Sequence, residues 1–323
     1  AETAGKLVKR AEGAASLAAA ITKIGAMSSV AAHCTTIVEA GGLTKMAAIM
    51  TAVLKKSVDL DVQASVLSAG FSGVANLVTN TGTEPDPGPF LQLIRNSLEA
   101  GLALGPVLEC VLLMVKDSAA GAEAILGDEP LMEAVITTLQ QNIRSPEVAQ
   151  AAFRALEGLA SHKSTTSLVA ATPSLRLALN WLDDNADDAP IQHYATVLST
   201  LAAIAANPEA KASALEFGIL DMLKGGLARH CLDPNPNPEH APDVLRATVS
   251  MLANLGRDDP ATLELINGSG LYRRIFKAVG NGEIFVKDGN TMLEVFSMVS
   301  TIAASPRVKV EIVDIGATAL VMA

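Results

Sequence analysis

Two apolar residues three apart, followed by a small or apolar residue, recur along this chain at a spacing few architectures can satisfy. The pattern reads Ile21-x-x-Ile24-Gly25, Val74-x-x-Leu77-Val78, Val111-x-x-Met114-Val115 and Leu156-x-x-Leu159-Ala160. It continues as Leu201-x-x-Ile204-Ala205, Leu252-x-x-Leu255-Gly256 and Val299-x-x-Ile302-Ala303. Successive copies lie 53, 37, 45, 45, 51 and 47 residues apart, an average of about 46 that falls within the range of helical repeats. Three residues before each pair stands another bulky side chain, Phe71, Leu108, Phe153, Leu198, Val249 or Phe296, with only Ala18 in the first copy. That spacing sets all of them on one stripe of a helix.

Two further marks keep the same period. A short helix ends in glycine and another begins at Gly41-Gly42, Leu126-Gly127, Phe217-Gly218, Asn267-Gly268-Ser-Gly270 and Ile315-Gly316, where glycine supplies the left-handed turn that stops a helix. A capping residue followed by proline opens the preceding helix at Asn207-Pro208, Asp259-Pro260 and Ser305-Pro306, because the cap oxygen satisfies orphan amides and proline suits the first helical position. Together the marks predict a unit of three helices: a short first, a second at once after the glycine, and a longer third that carries the stripe. The last full unit reads Asp259–Asn267, Leu271–Val279 and Asn290–Ala304. A single four-helix bundle has no reason to repeat its stops and caps in step with its stripe.

Composition agrees. The 323 residues are 50% hydrophobic but only 3% aromatic, and alanine and leucine dominate, which argues for an all-α fold and against disorder. With 24 basic against 34 acidic residues and a net charge of −10, a nucleic-acid partner is not expected, since phosphates reward clustered Lys and Arg.

The segment Ile37-Val-Glu-Ala-Gly-Gly-Leu43, through Asp61-Val-Gln-Ala-Ser-Val-Leu-Ser, to Val74-Ala-Asn-Leu77 resembles an armadillo repeat, as does Asn207-Pro-Glu-Ala-Lys-Ala-Ser-Ala-Leu-Glu-Phe-Gly-Ile219. The resemblance extends over nearly the whole chain. It implies one right-handed superhelical solenoid over 1–323, of about six to seven three-helix repeats, partial at the N-terminus and truncated near 316–323. The copies are unequal. The 37-residue step lacks a first helix, and Thr79–Pro89 reads as a loop; Asp233–Pro242 reads as an extended proline-rich insertion between second and third helices, and Asp183, Asp184, Asp187 and Asp188 as the corresponding loop one repeat earlier. An open last repeat exposes core, so either further sequence or a partner is expected to cover it. The absence of a leading Met suggests a processed chain or a fragment.

Nothing in the sequence resembles a catalytic centre, and neither an enzyme nor a cofactor is expected. The five His are scattered, and no nucleophile elbow or P-loop is present. Cys34, Cys110 and Cys231 form no Cys-x-x-Cys pair, so no metal site is expected and buried thiols in a reducing, intracellular (cytoplasmic) setting are. Asp183–Asp188 lacks the Gly and distal Glu of a calcium loop. Ala14–Ala32 carries Lys23, and Leu102–Val115 is short and interrupted, so neither reads as a membrane span.

The third helix of each repeat lines the concave side in the family resembled. Positions one and five residues before the final stripe residue lie off the apolar stripe. In peptide-binding members these faces carry Asn and Trp. Here the first position holds Asn76, Asn254 and Thr301 beside Lys23, Leu113, Gly158 and Ala203, and the second holds Ser72, Glu109, Arg154, Ser199, Ser250 and Ser297 beside Ala19. Gln150, Arg246 and Glu294 lie further along the same faces. No Trp matches, and Trp181 falls on a second helix as packing. A floor of Ser, Gly and Ala suits a helical or folded protein segment better than an extended basic peptide. The expectation is a non-enzymatic interaction scaffold or adaptor, with Arg154 and Arg246 as the foremost contacts. The rivals are a chaperone or adaptor module of a longer chain, and a non-catalytic accessory subunit.

Overall fold

The computed structural model describes residues 19–302, apart from 22, 25, 56–58, 186–187, 234–235 and 282. Among the described residues the regular elements are helices and there is no strand. The chain gathers into two compact units, Ala1–Thr165 and Thr166–Ala323. The start of the first copy and the stretch 316–323 lie outside the described residues, as do Ser305-Pro306 and Ile315-Gly316.

Unit one holds α1 (Ala31–Glu39), α2 (Gly42–Leu54) and α3 (Leu60–Thr81); α4 (Gly88–Glu99) and α5 (Leu104–Val115); then α6 (Ala119–Leu126), α7 (Glu129–Gln141) and α8 (Pro146–Ala160). The stripe-bearing helices pack in succession, α3 on α5 and α5 on α8, while α2 packs on α4 and α4 on α7. Contacts of α2 with α3, α4 with α5 and α7 with α8 join the two layers. No helix precedes α4 in the manner of α1 or α6, which accounts for the short 37-residue step. The loop there is shorter than the sequence suggested. Nothing breaks the helix before Gly82, whose φ of 63° ends it, and α3 therefore carries Thr79 and Asn80.

Unit two repeats the arrangement with α9 (Thr166–Ala170), α10 (Ser174–Asn185) and α11 (Ile191–Ile204), then α12 (Pro208–Glu216), α13 (Ile219–His230) and α14 (Ala241–Gly256). It ends with α15 (Pro260–Ser269), α16 (Leu271–Asn281), a short α17 (Glu283–Lys287) and α18 (Gly289–Ile302). Again the stripe-bearing helices follow one another, α11 on α14 and α14 on α18, and the second helices do likewise, α10 on α13 and α13 on α16. Two readings of the connections are corrected. Asp183 and Asp184 belong to the last turn of α10 rather than to a loop; Asp187 lies outside the described residues. The proline-rich stretch is not extended throughout, because Asn237 Oδ1 accepts from the Glu239 and His240 amides and turns the chain into α14.

The caps and stops explain where helices begin. Asn207 Oδ1 accepts from the amides of Glu209 and Ala210, and Asp259 Oδ1 from that of Thr262. Gly41, Gly218 and Gly270 adopt φ of 73°, 91° and 74°, a region open to glycine at little cost. Gly127 does not: its φ is −71°, and the Asp128 carboxylate caps α7 instead.

The stripe is the core. Phe71, Leu108, Phe153, Leu198 and Val249 are each at most 1% exposed. Phe296, in the same position on α18, is 39% exposed, contrary to expectation. There the buried positions are Thr291, Val295 and Met298, about one residue out of step. The physical reason is one-sided packing: α14 is flanked by both α11 and α18, whereas α18 meets α14 and α17 among the described elements. By length and composition α3 alone among single described helices could cross a membrane. Here it packs against α1, α2 and α5, with Phe71, Val74 and Leu77 fully buried.

Candidate functional site

In unit one the off-core face of the stacked third helices brings Ser72 and Asn76 of α3 opposite Glu109 of α5. These three residues, with Thr79, Asn80 and Leu113 among others, line a cleft of about 430 Å³. Ser72 is exposed, while Asn76 and Glu109 are half-buried. Arg154 of α8 is exposed and crosses to α5, its guanidinium 3.1 Å from Glu109 Oε2. Gln150, one turn earlier on α8, is half-buried and makes an interaction of its own.

Gly158, expected on the groove floor, is buried instead. A Cβ there would come within 2.7 Å of Val115 Cγ2 and 3.2 Å of Leu112 Cδ1. The missing side chain lets α8 approach α5, so the glycine serves packing and not the open face.

Unit two carries the remaining residues, and most of them are bonded to their neighbours. The Ser250 hydroxyl donates to Glu294 Oε2 at 2.9 Å, joining α14 to α18. The Asn254 amide donates to the Ala202 carbonyl at 2.7 Å, joining α14 to α11. Arg246 sits between Asp243, with which it hydrogen-bonds, and Asp288, 3.5 Å away. Donation from the Thr291 hydroxyl holds the Asp288 carboxyl below its usual range, and the Arg246 charge adds to that effect. Thr301 donates to the Ser297 carbonyl at 3.1 Å, Ser297 is exposed, and Ser199 on α11 is half-buried. Asn254 also lines a second cleft of about 410 Å³ with Lys211, Arg257 and Asp258. Asp258 has a φ of 57°, uncommon for a residue with a side chain.

The sequence reading missed Thr79, Asn80 and Pro106 in the first cleft and Lys211 and Arg257 in the second. Asn80 was within reach. It follows Asn76 by four residues on the same helix face, but Pro85, Pro87 and Pro89 make the segment from Thr79 onward read as loop.

Cys110 and Cys231 are buried, and burial pushes both thiols up to about 12. Such thiols stay protonated and unreactive at neutral pH. Trp181 is a buried residue of α10. Among the described residues no group of three or more His, Cys, Asp or Glu could hold a metal ion.

No family model matches the chain, and no relative is found among curated proteins. Among solved structures it is similar to a crystal structure of an engineered protein, with a TM-score of 0.58 and 16% identity, over 93% of this chain and 78% of that one. At that identity the likeness is one of fold alone.

Proposed function

We propose that the chain is an armadillo-like, right-handed superhelical solenoid acting as a non-enzymatic scaffold or adaptor. Its partner is a helical or folded protein segment laid along the concave face made by the third helices. One observation carries the reading: in each unit the stripe-bearing helices pack in series, and the residues singled out beside the stripe stand on the side away from the core. Ser72, Asn76, Glu109, Gln150, Arg154, Ser199, Arg246, Ser250, Asn254, Glu294, Ser297 and Thr301 are all exposed or half-buried. A series of stacked helices presents an extended surface of this kind, and repeat arrays use such surfaces for binding. The shallow polar cleft at Ser72 and Asn76 supports a protein partner, since it lacks the apolar enclosure of a small-molecule site.

The test is quantitative co-purification from the native source of wild type and of Ser72→Arg/Asn76→Arg, which fills the cleft. Circular dichroism first confirms equal helicity. A stoichiometric protein partner that is lost with the variant is the expected result. A partner retained in full, or none with wild type, overturns the reading.

A further inference from the structure

Among the described residues the unit-one cleft has one ionisable group in its wall, the Glu109 carboxylate, set among the neutral polar side chains of Ser72, Asn76 and Asn80. Arg154 reaches the same carboxylate from α8 without lining the cleft. It uses Oε2, and a carboxylate has a second oxygen with lone pairs of its own. Ala75 and Leu113 in the wall offer apolar contact for the methylene stem of a long side chain.

We infer that Glu109 is the docking point for a basic side chain, Lys or Arg, carried on the partner's helical segment, and that Arg154 weakens this contact by sharing the carboxylate. The inference rests on the third-helix face being the binding surface. Charge complementarity supports it at two scales. The chain as a whole carries −10 and attracts cationic segments, and among the described residues the cleft presents one negative charge with no cation in its wall. The Arg154–Glu109 pair is exposed, 46% and 37% by side chain, and an ion pair so placed is weakly held. An arriving cation therefore shares or displaces it at small cost. This reverses the sign expected of Arg154 from sequence, where it stood as an anchor in its own right.

The experiment is a titration of the isotopically labelled full chain with N-acetyl-arginine methylamide, followed by NMR at the Asn76 side-chain amide. N-acetyl-norleucine methylamide and N-acetyl-glutamate methylamide serve as neutral and acidic probes. The arginine probe is expected to shift the Asn76 signal saturably and the other two are not. Arg154→Ala binds the arginine probe roughly 2- to 5-fold more tightly, and Glu109→Gln binds it roughly 2- to 5-fold more weakly. The exchanged pair Glu109→Arg with Arg154→Glu keeps the ion pair and turns the preference to the acidic probe. Equal binding to Glu109→Gln, weaker binding to Arg154→Ala, or no saturable shift overturns the inference. Failure here combined with loss of the native partner from Ser72→Arg/Asn76→Arg leaves the face reading standing and removes only the basic side chain.

Discussion

Asn76 and Asn254 occupy the same position in the repeat pattern, yet they do different work. Asn254 spends its amide on the Ala202 carbonyl and ties α14 to α11. Asn76 lines an open cleft beside Glu109, and its side chain makes no hydrogen bond among the described residues. The arginines differ in the same way. Arg154 makes one exposed pair across to α5, whereas Arg246 is held between Asp243 and Asp288. A residue type at a position beside the stripe therefore does not say whether the residue is available. What decides it is the bonding capacity of its neighbours, and in unit two those neighbours consume it.

The sharpest contrast is between Phe153, a stripe residue 1% exposed, and Phe296, at the same stripe position on α18. Phe153→Ala is expected to cost about 3–5 kcal/mol. Phe296→Ala, at 39% exposure, should cost well under half as much. Urea denaturation of both variants checks this, and equal losses would mean that α18 is as fully covered as α8. Next in size, Gly158→Val should lose about 1–3 kcal/mol, because the new side chain meets Val115 and Leu112 and overpacks the contact of α8 with α5.

Smaller effects sharpen the comparison of the two asparagines. Asn254→Ala should cost about 0.5–1.5 kcal/mol, the worth of one hydrogen bond, while Asn76→Ala should stay within about 0.5 kcal/mol. Reversal of that order in thermal unfolding would place the structural asparagine in the wrong unit.

A last, gentler contrast concerns pH. Burial, aided by the Arg229 charge, lowers the pKa of His230 below 6.5, whereas the unfolded chain titrates at its ordinary value. The unfolded state thus binds the proton first, and stability present above about pH 6.5 falls as pH drops toward the folded value. Unfolding free energies measured between pH 7.5 and about 5 should decline, and His230→Gln should flatten the decline. His193, lowered by burial as well, contributes in the same direction.

Much of the helical order was legible beforehand because it rests on local chemistry. Asn207-Pro208 and Asp259-Pro260 cap helices through their own side chains, and Gly41, Gly218 and Gly270 turn left-handed as their positions require. The stripe from Phe71 to Val249 is periodic, and periodicity survives without knowledge of neighbours. What escaped depends on contacts distant in sequence. The burial of Gly158 requires Val115 from the preceding third helix. The exposure of Phe296 reflects what packs on α18, and Arg246 is quenched partly by Asp288, 42 positions further along. The extension of α3 to Thr81 escaped for a different reason: the prolines that follow outweighed the absence of any breaker before Gly82.

The most direct test places a photo-crosslinking amino acid at Ser72 on the open face, at Ser250 on the self-bonded face and at Glu133 on the exposed side of second helix α7, then irradiates each protein in its native source. The account predicts a crosslinked partner in strongest yield from Ser72, less from Ser250 and none from Glu133. A yield from Glu133 equal to or above that from Ser72 would contradict it.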